Sequence, residues 1–198
     1  MTLFVAVEIG PEMAQAAARL IDELRRRVAR LAPGARVSWV PESRLHVTVR
    51  FIGEVGAEGA EQVRAALRAP LDVPAFDLTL TGVGTFPDRR PPRVVWVGAR
   101  AGGDRLVGVR QEVDMRLARL PGRPAEGPLR PHLTLGRVRR PAGLRAAGLV
   151  GGLEPAELGS LHVEAVTLFE SRATPAGQAH LPLHRTALAG ACASGPQS

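Results

Sequence analysis

The feature that most constrains this chain is a chemical pattern that occurs twice. His46-Val47-Thr48-Val49-Arg50-Phe51 is echoed by His132-Leu133-Thr134-Leu135-Gly136-Arg137. Each copy ends the same succession of elements. Leu3 to Glu8 alternates and is rich in β-formers, which predicts a strand. Pro11 marks a helix start, and residues 12–31 carry Met13, Ala17, Leu20, Ile21, Leu24, Val28 and Leu31 at helical spacing, with Arg25, Arg26 and Arg27 on the outer face. Pro33-Gly34 closes that helix. A strand is expected from about Arg44 to Ile52, stopped by Gly53. In the second half, Val94 to Val97 is a strand, Asp104 caps a helix running to about Leu120, Pro121-Gly122 ends it, and Pro131 to Val138 is a strand again. Strand, long helix, histidine strand, twice over, predicts two similar lobes.

The remaining segments are weaker. Residues 58–69 read as a second helix of the first half, and Phe76 to Thr81 as a strand. Residues 139–159 read as a linker with an irregular piece. Leu161 to Phe169 and Gln178 to Leu188 read as closing strands. Several strands pair locally, so the expected class is α+β, with mainly antiparallel sheets around a central groove and helices outside. One bilobal domain over residues 1–188 is expected, followed by a disordered tail, 189–198.

The duplicated segments carry the chemistry. In a strand, residues i and i+2 share a face, about 6.5–7 Å apart. Each His-x-Thr therefore presents an imidazole beside a hydroxyl, while Val47, Val49, Phe51, Leu133 and Leu135 are expected to bury the opposite face and fix the register. Two such strands across a groove suit in-line displacement at phosphorus. One neutral histidine accepts a proton from water, and the other, protonated, donates to the leaving oxygen. Thr48 and Thr134 offer hydrogen bonds to the non-bridging oxygens, and arginine neutralises the charge that builds there. Simple period two places Arg50 in phase with His46. It places Arg137 out of phase with His132, unless the strand bulges near Gly136 or Arg137 reaches round the strand end.

Composition narrows the alternatives. All 26 basic residues are arginine. With no lysine there is no P-loop lysine, Schiff base or lysyl-nucleotide intermediate. The net charge of +7 suits a polyanionic partner, although the Ala-, Gly-, Pro- and Arg-rich usage is also that of a GC-rich coding sequence. Five Phe, two Trp and no Tyr argue against an RRM-like stacking sheet. The lone cysteine, Cys192, excludes an intrachain disulfide and a cysteine metal cluster. No apolar run approaches a membrane span, and the first residues read as a strand rather than a secretory signal. A cytoplasmic monomer is expected, away from membranes.

These residues resemble a known family. The runs Leu3-Phe4-Val5-Ala6-Val7, His46 to Glu54, Arg93 to Gly98, Pro131 to Arg137 and Val166 to Ser171 are similar, in order and spacing, to the 2H phosphoesterases. Within that superfamily they resemble the RNA 2',3'-cyclic phosphodiesterases historically called 2'-5' RNA ligases. The resemblance covers residues 3 to about 188. It implies a bilobal fold with both His-x-Thr motifs in one groove, and hydrolysis of an RNA 2',3'-cyclic phosphate end to a 2'-phosphomonoester, with neither metal nor cofactor. It further implies His46 as proton donor to the 3'-oxygen, His132 as the base that activates water, and Arg137 on the phosphate; Arg50, in phase with His46 by periodicity alone, is the second choice. Two other functions remain open on sequence grounds: 2'-5' ligation by the same pair run in reverse, and a non-catalytic module binding RNA ends.

Other signals are slight. His162, His180 and His184 lack metal-ligand spacing. Arg89, Arg90 and Arg93 form a basic loop that either touches an RNA backbone or is simply solvated. Phe4 reads as a core aromatic with a chance of lining the groove.

Overall fold

The computed structural model describes residues 1–190 apart from 89–90, 121, 123–126, 154–156 and 176. Cys192, Arg89, Arg90 and most of the expected tail lie outside the described residues.

The elements are β1 (Thr2–Glu8), α1 (Pro11–Leu31), β2 (Arg36–Trp39), a 3-10 turn (Glu42–Arg44), β3 (His46–Glu54), α2 (Ala57–Ala66), β4 (Leu71–Pro74), β5 (Phe76–Phe86), β6 (Val94–Ala101), α3 (Gly103–Leu117), β7 (His132–Arg140), α4 (Ala146–Val150), β8 (Glu157–Val163), β9 (Ala165–Thr174) and β10 (Gly177–Ala189). Among the described residues ten strands form one sheet in the order β4-β10-β9-β1-β3-β7-β6-β5-β8, with β2 added against β7. Every pairing is antiparallel except that of β10 with β4. Among the described residues no helix is long and apolar enough to cross a membrane.

The two-lobed α+β class expected from sequence is what forms. The two lobes meet at β3 and β7, which share a single registered pair, Val47 with Leu133. Away from that pair the strands diverge and a groove opens. The lobes are not the two halves of the sequence. β9 and β10, from the C-terminal end, complete the sheet beside β1, whereas β5 joins the other lobe. The long helices also cross over. α1 leaves β1 but packs on β7 and β8, and α3 leaves β6 but packs on β3 and β4. Each half of the chain thus covers the other's sheet.

α1 forms because its apolar stripe, Met13, Ala17, Leu20, Ile21, Leu24 and Val28, is fully used in the core. Its Pro11 sits at the first turn, where no intrahelical N–H is needed. At α3 the N-cap is Gly102, in the left-handed region at φ 76°, and Asp104 falls inside the first turn. A side chain at residue 102 would press its Cβ to 2.3 Å from the Asp77 carbonyl oxygen, so glycine rather than a capping carboxylate starts this helix.

Several sequence boundaries are corrected. Gly53 does not stop β3; at φ 89° it carries a bend within the strand. Residues 161–169 are two strands with Glu164 between them, and the segment read as a linker contains α4 and the start of β8. β2 and β4 were not legible. Each has four residues, too few to show a period.

One contiguous core lies between the sheet and the helices. A small separate cluster of Phe4, Ala6 and Phe169 sits on the opposite face of the sheet, where Phe4 lines the groove. Phe4 is therefore both buried, at 4% exposure, and a groove residue.

Candidate active site

Because β3 and β7 run antiparallel and meet at Val47 and Leu133, Thr48 lies across from His132 and His46 across from Thr134. Val47 and Leu133 point into the core and are fully buried. The pleat therefore turns all four polar side chains to the groove face, each histidine facing the other motif's threonine.

What happens next decides the rest of the site. β3 pairs Ala6 with Thr48 and Val5 with Arg50, leaving Val49 unmatched. β7 pairs Trp96 with Thr134 and Val95 with Gly136, leaving Leu135 unmatched. Each is a β-bulge one residue past the threonine, and each reverses the phase of the residues that follow. Arg137 is thereby carried onto the face of His132 and Thr134. It is exposed and lines the groove with His46, Thr48 and Thr134. Its charge acts on both imidazoles.

The same device corrects the expectation for Arg50. The bulge at Val49 takes Arg50 off the face of His46 and gives that place to Phe51, which alternation alone assigns to the core but which is 45% exposed and lines the groove. Arg50 is buried beneath. Its Nε lies 2.7 Å from Asp114 Oδ1 on α3, and the other oxygen of Asp114 is 2.5 Å from Arg110 Nε. Arg110 also donates to the carbonyl of Val49, the residue the bulge leaves outside the ladder, at 3.1 Å. The Arg50–Asp114–Arg110 group thus supports the bulge from below, and its two arginines line an adjoining cavity of about 400 Å³ that shares Thr48 and Phe51 with the groove and has His132 on its wall.

Both imidazoles are anchored identically. Nδ1 of His46 lies 2.8 Å from the carbonyl oxygen of Arg44, and Nδ1 of His132 lies 2.6 Å from that of Arg130. A carbonyl only accepts, so Nδ1 carries the hydrogen and donates. Nε2 is left as the nitrogen that exchanges protons in each ring. Aromatic rings frame both. Phe4 and Phe169 flank His46, at centroid distances of 5.0 and 6.5 Å, and Phe86 and Trp96 flank His132, at 5.2 and 6.2 Å.

Burial among these rings disfavours the charged imidazole. It pushes His46 down to about 4, aided by the positive charges of His180 and Arg137 and opposed by the Arg44 carbonyl. His132 is lowered for the same first reason, with Arg137 contributing and the Arg130 carbonyl opposing.

His180 is the residue that sequence reasoning passed over. It comes from β10 and stands edge-on to His46, with ring centroids 5.1 Å apart, and edge-on to Phe4 at 4.9 Å. Burial lowers its pKa too, with Arg44 adding to the effect. Trp39 was also missed, because it sits on the unpredicted β2, where it lines the groove. Neither residue carries a local motif; both are brought in by strand order. His162 instead pairs with Asp77 on the surface at 2.7 Å, and His184 reaches the Leu67 carbonyl at 3.1 Å. Among the described residues no group of three or more His, Cys, Asp or Glu is placed to hold a metal ion.

The LigT-like phosphoesterase description matches residues 11–96 and again residues 97–179, once for each motif. This chain belongs to the LigT-like phosphoesterase family. The chain is 32% identical over 176 residues to the RNA 2',3'-cyclic phosphodiesterase of Methanothermobacter thermautotrophicus, covering 88% of this chain and 91% of that one. It is similar in structure to TT0787 of Thermus thermophilus, with a TM-score of 0.75 at 28% identity, covering 96% and 99% of the two chains. It is also similar to E. coli LigT complexed with 3'-AMP, with a TM-score of 0.71 at 26% identity, covering 95% and 98%. As a LigT-like phosphoesterase the protein is a hydrolase of phosphoric diesters.

Proposed function

We propose that this phosphoesterase hydrolyses 2',3'-cyclic phosphate ends of RNA to 2'-phosphomonoesters, with His46 and His132 as its acid–base pair and no metal. The observation that carries this reading is the matched pair of imidazoles, each locked through Nδ1 so that Nε2 is the exchanging nitrogen, with a threonine opposite each and the charge of Arg137 acting on both.

The cyclic phosphate sits between the two motifs. His132 Nε2 takes a proton from water as the water oxygen bonds to phosphorus. The bond from phosphorus to O3' breaks in line with it, and His46 Nε2 delivers its proton to O3'. The product keeps phosphate on O2' and gains a 3'-hydroxyl. Thr48 and Thr134 donate to the non-bridging oxygens, and Arg137 offsets the negative charge concentrating there. Proton transfer and charge neutralisation are both supplied by side chains.

The low pKa of His46 fits this scheme through its substrate. Near neutral pH the empty groove holds His46 without a proton. The phosphodiester anion introduces the opposite charge that raises an imidazole pKa, so the donor acquires its proton together with the substrate.

The test is incubation of the purified protein, with EDTA present, with a short RNA ending in 2',3'-cyclic phosphate. The expected product is a 2'-phosphate end. Unchanged RNA, or hydrolysis that EDTA abolishes, overturns the reading.

A further inference from the structure

The groove does not end at the reacting centre. Its cavity of about 580 Å³ continues over β2 and the outer half of β7, where Ser38, Trp39 and Arg139 line it. A second irregularity leaves Arg139 unmatched between Val138 and Arg140, and its contact with Ser38, the residue registered opposite Arg137, keeps it on the groove face, where both arginines are exposed. Their positions on the strand are about 6.5 Å apart. That is the scale on which neighbouring phosphates follow one another along a polynucleotide strand.

Two contacts hold this stretch in place. Arg139 Nε donates to Ser38 Oγ at 3.2 Å, which occupies one of the five donors of the guanidinium. The six-membered ring of Trp39 is laid against Gly136, where a Cβ would come within 2.7 Å of its Cε3. Glycine at 136 therefore seats the indole on the core side of β2 and β7, beneath the face that carries Arg137, so that it supports this stretch from below. The described residues lining the cavity include Arg44, Arg137 and Arg139 and not one carboxylate.

On these grounds, and resting on the cyclic phosphodiesterase reading above, we infer that Arg139 is a second phosphate subsite. It takes the 5'-phosphodiester of the terminal nucleotide while Arg137 attends the cyclic phosphate. The site is built for the end of an RNA strand rather than for a free mononucleotide, and the strand leaves the centre across β2.

The experiment compares two substrates: adenosine 2',3'-cyclic phosphate, which lacks a 5'-phosphate, and the ApA dinucleotide ending in the same cyclic phosphate. kcat/KM is measured for both over a range of salt, for wild type, R139A and R139K. Wild type is expected to prefer the dinucleotide by about tenfold, the scale of one charge-assisted phosphate contact. In R139A that preference falls to about one, and the log–log salt slope for the dinucleotide weakens by about 0.7. R139K recovers part of the preference, because lysine keeps the charge without the fork. A wild-type preference of one, or a preference retained in R139A, overturns the subsite. If wild type hydrolyses neither substrate, the proposed function itself has failed and the subsite goes with it.

Discussion

The His46 and His132 sides of the groove use one backbone design and fill it differently. On each side a His-x-Thr strand is followed by a bulge, and Nδ1 is tied to the carbonyl two residues back. The bulge then delivers the fifth residue after the histidine to the groove. On one side that residue is Arg137 and on the other Phe51. Beneath Phe51 stands Arg50, held by Asp114; the matching place on β7 is Gly136, covered by Trp39. Charge sits in the groove on one side and under it on the other. A symmetric backbone thus presents an asymmetric surface, as a reaction with a distinct entering and leaving oxygen requires.

The comparison breaks first at the histidines. H46A and H132A should each lower kcat on a cyclic-phosphate RNA by about 10²–10⁴-fold. The double variant should lose little more than the worse single one, because the pair acts as a unit. Full additivity in single-turnover kinetics would show that the two rings act independently.

At the fifth positions, R137A should reduce kcat by about 10²–10³-fold, the scale of a lost transition-state donor. F51A should act mainly on KM, by less than about tenfold. Equal effects on kcat would erase the distinction drawn between the two sides.

G136A tests the packing that only the β7 side needs. A Cβ there meets the Trp39 ring at 2.7 Å and the Val37 side chain at 3.1 Å. A loss of about 1–3 kcal/mol of stability is expected from such overpacking, read by urea unfolding. No loss would mean that Trp39 is free to move aside.

The smallest effects are in pH. Both imidazoles of the proposed acid–base pair are lowered from the usual 6.5, so the kcat/KM optimum should lie below pH 6.5, and an optimum above it would contradict their burial. H180Q removes a positive neighbour of His46 and should move the limb that reports His46 to higher pH. Stability follows the same sign. The folded protein protonates His46 only near 4, whereas the unfolded chain does so near 6.5. This stabilisation is complete above pH 6.5 and is lost as pH falls toward 4. H46Q should flatten that part of the Tm-against-pH curve.

The legible part of the fold was the long and strongly patterned part. α1, with its apolar stripe, was readable almost to its ends, although Leu31, expected as the stripe's last member, is exposed, and β1, β3, β6 and β7 were found near their observed positions. β2 and β4 were too short to carry a period. The break at Glu164 fell inside a run that reads as continuous strand. At the site, the pairing of His46, Thr48, His132 and Thr134 on one face followed from alternation and duplication. The places of Arg50 and Arg137 did not, since each depends on a bulge, and a bulge is set by how a neighbouring strand matches its hydrogen bonds. His180 was out of reach for a similar reason: it meets His46 only because β10 and β9 fold back beside β1.

The sequence by itself determined which side chains make up the candidate site and that they come as two equivalent sets, because period and repetition are properties of a chain read locally. The tertiary structure alone decided which arginine faces the groove, which third histidine stands beside the first, and that each long helix covers the opposite lobe. Those outcomes depend on register between strands far apart in sequence, where one unmatched residue turns every following side chain to the other face.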